Sequence, residues 1–233
     1  MTSPVFPTWL AGVSIISLTV APACAAIIAA DETRRPQRMW IMNLVWPLTA
    51  LFGGLIWLAG YLVWGREGAA ERDPPMAVSI AKAGTHCGAG CTLGDLIAET
   101  LALAFPGLAV VFGAGWLFKD RMFAIWALDF VLAFGLGVGF QYFSIMPRPG
   151  LTTDQRLLLA LRADAASIAA WQVGMYGGMA VLQFWWFKPS YGAPATANTP
   201  EFWFAMQLAM LCGFVTSYPV NWLLVKTGIK ERM

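Results

Sequence analysis

The sequence predicts an all-α integral membrane protein, a bundle of about six transmembrane helices. Three observations carry this reading. Of 233 residues, 58% are hydrophobic and only 12% charged, against about 25% charged in soluble domains. The apolar residues fall into long runs, each near the roughly 20 residues that a helix needs to cross a bilayer. The runs are continuous rather than alternating, which argues against a barrel. Together they fill most of the chain and leave one transmembrane domain over residues 1–233.

The spans are read at Thr8–Ala30, Trp40–Trp64, Leu93–Phe118, Phe123–Met146, Ala163–Phe187 and Phe202–Val225. The first has small residues around Cys24, as a signal peptide would. Met1–Trp9 has no Lys or Arg, however, and the run outlasts a signal core, so it reads as a retained span. The second carries Trp40 and Trp46 near one end and Trp57, Tyr61 and Trp64 near the other, the aromatic signature of two membrane interfaces. Pro47 is its expected kink, and Gly53-Gly54 a place for close packing. Gly65–Ala83 reads as a polar loop kept partly extended by Pro74-Pro75. Lys119-Asp120-Arg121 leaves a tight turn before the fourth span, whose Gly135, Gly137 and Gly139 suit a closely packed helix. Leu151–Arg162 is amphipathic, either an interfacial helix or an extension of span five. Span six ends at Lys226, with Lys230 in the tail.

Loop charges set the expected orientation. With six crossings, Arg66, Arg72, Lys82, Arg148, Arg156, Arg162, Lys226, Lys230 and Arg232 share the side of both termini. Arg34, Arg35, Arg38, Lys119, Arg121 and Lys188 lie opposite. The excess places both termini in the cytoplasm of a bacterial inner membrane. The net charge of +2 offers no nucleic-acid footprint. The expected partners are the lipid bilayer, a metal ion, and a second copy or a membrane complex.

Chemistry concentrates in Thr85-His86-Cys87-Gly88-Ala89-Gly90-Cys91-Thr92-Leu93-Gly94-Asp95, which holds the only histidine and two of the four cysteines. On a helix, Cys87, Cys91, Asp95 and Glu99 would form one stripe, drifting about 40° per step. Alternatively Thr92 and Asp95 form a capping box after a glycine turn, placing both sulfurs at a helix N-terminus that favours thiolate. Either geometry puts His86, Cys87 and Cys91 within reach of Cu(I) or Zn(II), since two thiolates and an imidazole suit a soft or borderline ion. Asp95 and Glu99 are further candidate ligands. So are Met175 with Met179 and Met206 with Met210, pairs four apart on one helix face. The plain alternative is a tight turn with cysteines as small apolar packing and methionines as core filler.

Ionisable residues at membrane depth are costly and face the bundle interior. Glu99 and Asp129 lie inside spans three and four, and Asp164 opens span five. Gln141, Gln172, Gln207 and Asn221 add amides that suit interhelical hydrogen bonds.

His86-Cys87-Gly88-Ala89-Gly90-Cys91-Thr92-Leu93-Gly94-Asp95 resembles the signature of a bacterial and archaeal family of polytopic membrane proteins of unknown function. Phe140–Phe143, Arg162–Gly177 and Phe214–Trp222 through Lys230 are similar to the same family, which would make residues 85–233 its core. The resemblance implies a helical membrane fold and no particular activity. The residues themselves support three roles. The first is binding or transport of a transition metal, copper above all, at the Cys/His segment. The second is proton-coupled or small-solute transport on the intramembrane carboxylates. The third is a non-catalytic membrane scaffold. No catalytic residue is assigned: there is no Ser/His/Asp set and no nucleotide loop, and a thiol oxidoreductase on Cys87 and Cys91 is the weakest reading.

Overall fold

A computed structural model describes residues 6–68, 74–145 and 150–230. The sequence produces a helical bundle for a reason of solvent. Backbone N–H and C=O groups in a bilayer must pair within the protein, and helices do this locally. The elements are α1 (Thr8–Arg34), α2 (Met42–Gly60, continued by a π-helical turn Tyr61–Gly65), α3 (Met76–Ala104) and the short α4 (Leu108–Val111). They are followed by α5 (Arg121–Ile145), α6 (Thr153–Ala180, continued in π-helical form over Val181–Phe187), the short α7 (Lys188–Tyr191) and α8 (Pro200–Lys226). Six of these helices are long and apolar enough to cross a membrane. The chain is thus a multi-pass helical membrane protein.

α2 meets the length criterion without running straight. Its interior break is at Gly54, with φ 51° and ψ −130°, and not at Pro47. The two arms lie side by side: the rings of Trp46 and Tyr61 are 5.5 Å apart. Fifteen residues of straight helix would separate them by about 22 Å. The arms also end together. Gln37, before the first arm, donates to the carbonyl of Gly65, at the end of the second, at 3.0 Å. Asp31 at the end of α1 accepts from Tyr61 Oη at 2.9 Å and from Arg66 Nε at 2.9 Å. α2 is therefore a re-entrant hairpin. Breaking a helix frees carbonyls of the preceding turn, which need a donor at membrane depth. Gln207 of α8 supplies one to Leu51 O at 2.7 Å, while its own Oε1 accepts from Ser17 of α1 at 2.6 Å.

The hairpin leaves α1, α3, α5, α6 and α8 as the elements that run from one end of the bundle to the other. Phe6 packs on Phe187 and Tyr191 at one end, whereas Lys230 lies beside the end of α5 and the first half of α6 at the other. On this path Phe6 and Lys230 lie at opposite ends of the bundle, whereas six crossings would put them at the same end. Arg72, Arg148 and Arg232, which entered the loop count, lie outside the described residues. Cysteines placed at exposed Arg35 and Asn198, in a chain without the exposed Cys212, test this path. They are expected to react with a membrane-impermeant maleimide from opposite faces of the membrane. Labelling of both from one face would restore six crossings.

α3 is the central helix: 61% of its most apolar window is buried, against 22–44% in the others. It starts after Pro74-Pro75 at Met76, so the second half of the supposed Gly65–Ala83 loop is helical. It ends at Ala104, and residues 105–120 form α4 and turns rather than a continuation to Phe118. Two packing pairs dominate the rest, α6 on α8 and α3 on α5. At the second, a Cβ on Gly90 would stand 2.6 Å from Gly137 Cα, and one on Gly94 2.8 Å from Ala133 Cα. Gly135 and Gly139, by contrast, face open space. Residues 151–162 largely belong to α6, capped by a Thr152/Gln155 box, so they extend the span.

Candidate functional site

The glycine-rich segment is continuous α-helix. Thr92 caps nothing: its hydroxyl donates to the Gly88 carbonyl, 2.7 Å away and one turn back. The capping-box geometry is therefore replaced by the stripe, and Asp95 is a mid-helix side chain. Cys87, Cys91, Asp95 and Glu99 are all buried along α3. The stripe faces α5 and α6, and its two halves have different partners.

The first half meets the chain's last described residue. After α8, Gly228 adopts φ +73°, and the N–H groups of both Ile229 and Lys230 bond to Leu224 O at 3.0 Å. This left-handed turn reverses the tail and carries Lys230 into the bundle. Its ammonium lies 2.6 Å from Asp164 Oδ1, 2.9 Å from Asn221 Oδ1 and 3.8 Å from Cys87 Sγ. Cys87 Sγ is 2.9 Å from Ser167 Oγ and 3.3 Å from Asp164 Oδ1. Asn221 Nδ2 donates to Ser167 Oγ at 2.6 Å and to Ser217 O at 3.0 Å, which turns its carbonyl oxygen toward Lys230. Asp164 and Lys230 side chains are wholly enclosed. Burial is the largest influence and works against the ammonium charge, but Asp164 and Cys87 together outweigh it and hold Lys230 above the ordinary lysine range. The pair is an ion pair.

The second half is acidic. Asp95 faces Asp129 of α5, close enough for the two carboxyls to interact. Asp129 Oδ2 is also 2.7 Å from Tyr176 Oη and 3.5 Å from Gln172 Nε2. Asp95 Oδ2, Asp129 Oδ1 and Gln172 Oε1 are buried and have no hydrogen-bond partner among the described residues. Glu99, one turn beyond Asp95, reaches the wall of a cavity.

Two cavities bracket this file of groups. One, of about 240 Å³, opens at the Lys230 end and is lined by Lys230, Lys82, Gln141, Ala163 and Glu67 among others. The other, of about 820 Å³, opens at the opposite end and is lined by Glu99, Arg121, Lys119 and Lys188 among others. Ionisable groups thus run from one vestibule, through Lys230, Asp164, Cys87, Cys91, Asp95 and Asp129, to Glu99 in the other.

The expected metal ligands are distributed differently. Cys87 has its hydrogen bonds with Asp164 and Ser167. Cys91 is fully buried one turn along, and His86 projects from the helix at about 100° to Cys87, with neither ring nitrogen partnered among the described residues. Met175, Met179, Met206 and Met210 are buried in the main apolar core. Among the described residues, no three His, Cys, Asp or Glu are grouped to hold an ion. Glu99 and Asp129 are in the file, Gln172 and Asn221 hydrogen-bond to its members, and Gln141 lies on the wall of the smaller cavity.

Lys230 is the member that sequence reasoning missed, because a lysine beyond the last span counts as a loop charge. Gly228 was the available signal: a glycine just past a helix end reverses the chain. Ser167 and Tyr176 carried none.

The sequence model of a family described as a domain of unknown function, DUF4396, matches residues 78–230, more than half of the chain. Every group in the file lies within that match. No curated protein and no solved structure matches the chain.

Proposed function

The chain belongs to the DUF4396 family, and from that premise we propose that it is a proton-coupled membrane transporter in which the Asp95/Asp129 pair carries the proton. The observation behind this reading is two buried carboxyls facing each other at membrane depth, placed in a file of ionisable groups between two cavities. Carboxyls in a spanning segment are costly, and proton relays are among the uses that retain them. Two adjacent carboxyls that gain and lose a proton between them form a carrier. Tyr176 and Gln172 fix Asp129 as a hydrogen-bond acceptor, and Glu99 connects the pair to the larger cavity.

Reconstitution tests it. Proteoliposomes loaded with a pH dye and given a potassium-valinomycin potential are expected to show proton uptake above that of empty liposomes. Asp129→Asn, which keeps shape and removes the titrating oxygen, is expected to lower that rate at least tenfold, while Cys91→Ser leaves it near wild type. Wild-type vesicles no faster than empty ones, or Asp129→Asn vesicles as fast as wild type, would discard the reading.

The path of α2 also suggests which way the protein faces. Among the described residues, Arg34, Arg35, Arg38, Arg66, Lys82, Arg156, Arg162, Lys226 and Lys230 lie at or nearer the Lys230 end, and only Lys119, Arg121 and Lys188 at the other. By the positive-inside rule the Lys230 end is cytoplasmic and the Glu99 cavity opens outside.

A transition-metal role keeps one observation in its favour: two buried thiols a turn apart beside an unpartnered imidazole. Reconstitution with Cu(I) or Zn(II) addresses it, because near-zero metal in both wild type and Cys87→Ser/Cys91→Ser would remove it.

A further inference from the structure

We infer that Asp164, Asn221, Ser167 and Cys87 form a binding site for a small monovalent cation or primary ammonium, and that the chain's own Lys230 ammonium occupies it. The ammonium is held as a bound cation would be. A carboxylate oxygen at 2.6 Å, an amide oxygen at 2.9 Å and a thiol sulfur at 3.8 Å converge on one nitrogen. The donors of Asn221 are spent on Ser167 and Ser217, so its carbonyl oxygen is fixed on the site whether or not Lys230 is there. Asp164 Oδ2 is buried and unpartnered, a further acceptor beside the occupant.

Charge and ligand hardness define the class. One carboxylate balances one positive charge. Carboxylate and amide oxygens suit ammonium or an alkali ion, and a single thiol adds too little softness to select Cu(I). The occupant is attached by a short tether. Beyond α8 the described tail is held by backbone bonds to Val225 and Leu224, and Ile229 and Lys230 both line the smaller cavity. A swing of the tail delivers the ammonium to that cavity and opens the cage to a cation from it. A free cation and Lys230 then compete for one place. The inference requires only this cage and stands whether or not the protein moves protons.

The experiment empties the cage. Full-length Lys230→Ala and, in parallel, Lys230→Ser are purified in detergent, and thermal unfolding is followed with propylammonium, sodium or potassium chloride. Tetramethylammonium chloride at equal ionic strength is the control, too large for the cage. Both variants are expected to melt below wild type. At a hundredfold excess over its dissociation constant, a bound cation raises the melting temperature by roughly 5 °C or more. Propylammonium, with the charge and width of the lysine end, is expected to act most strongly. Wild type, already occupied, should move little, and Asp164→Asn/Lys230→Ala not at all. Recovery of a variant only in the presence of propylammonium would also support the site. Melting of both variants indifferent to all three cations, or a double mutant that responds equally, would overturn it, as would failure to recover either variant with propylammonium present. Proton flux does not enter this readout, so failure of the cation site and failure of the transport reading are separate results.

Discussion

Asp164→Ala is expected to destabilise the protein by about 3–5 kcal/mol, the range for removing one partner of a buried ion pair. The cost comes less from the lost attraction than from the charge left behind. Lys230 is enclosed, and without the carboxylate its ammonium keeps only the Asn221 oxygen at hydrogen-bonding distance and the Cys87 sulfur beyond it. The tail must then leave the bundle or the lysine must lose its proton. Thermal unfolding in detergent would show a fall of roughly 10 °C at about 2–4 °C per kcal/mol. The double change Asp164→Leu/Lys230→Met distinguishes charge from packing. Replacing both charges with apolar groups is often neutral or stabilising, so the double variant should melt well above Asp164→Ala. An Asp164→Ala protein within 1 °C of wild type would mean that the pair contributes nothing.

That pair also shows where reading the sequence stops. Apolar runs depend on composition alone, so six helices of membrane length were legible. The burial of Glu99, Asp129, Gln172 and Asn221 was equally legible, because a polar group at membrane depth has few places to go. Two features depended on backbone angles that composition does not encode. Gly54 and Pro47 are both plausible breaks in α2, and hydropathy cannot distinguish a straight 24-residue span from two arms folded at a glycine. The choice between them changes the parity of crossings, and with it the side of the Arg34–Arg38 turn and of the chain before it relative to the rest. Gly228 likewise decided whether Lys230 was a solvated tail charge or the centre of a buried cluster. The central motif was ambiguous for another reason. Its glycines have poor helix propensity in isolation, which favoured a turn. In the bundle, the absence of a Cβ lets α3 approach α5, and packing with intrahelical hydrogen bonding overrides propensity.

Gly90→Ala is expected to cost about 1–3 kcal/mol, the usual penalty for overpacking, although alanine is the better helix former. A Cβ at position 90 would lie 2.6 Å from both Gly137 Cα and Gly137 N. Backbone opposes it, with no flexible side-chain end to rotate away, so α3 and α5 must separate. Gly94, four residues on and 2.8 Å from Ala133 Cα by the same measure, makes this a small-residue seam of the kind that draws membrane helices together. The seam also sets the separation of the Asp95 and Asp129 carboxyls, since Asp95 follows Gly94 on α3 and Asp129 lies one turn before Ala133 on α5. Two readouts should therefore fall together: the melting temperature and the rate of proton uptake. Gly135→Ala is the matched control. Its Cβ meets nothing within 4 Å, so the helix should gain about 0.5–1 kcal/mol from the better former and flux should hold. A Gly90→Ala protein as stable and as active as Gly135→Ala would show that α3 and α5 have slack at the seam, and would remove close helix approach as the condition for joining the two carboxyls.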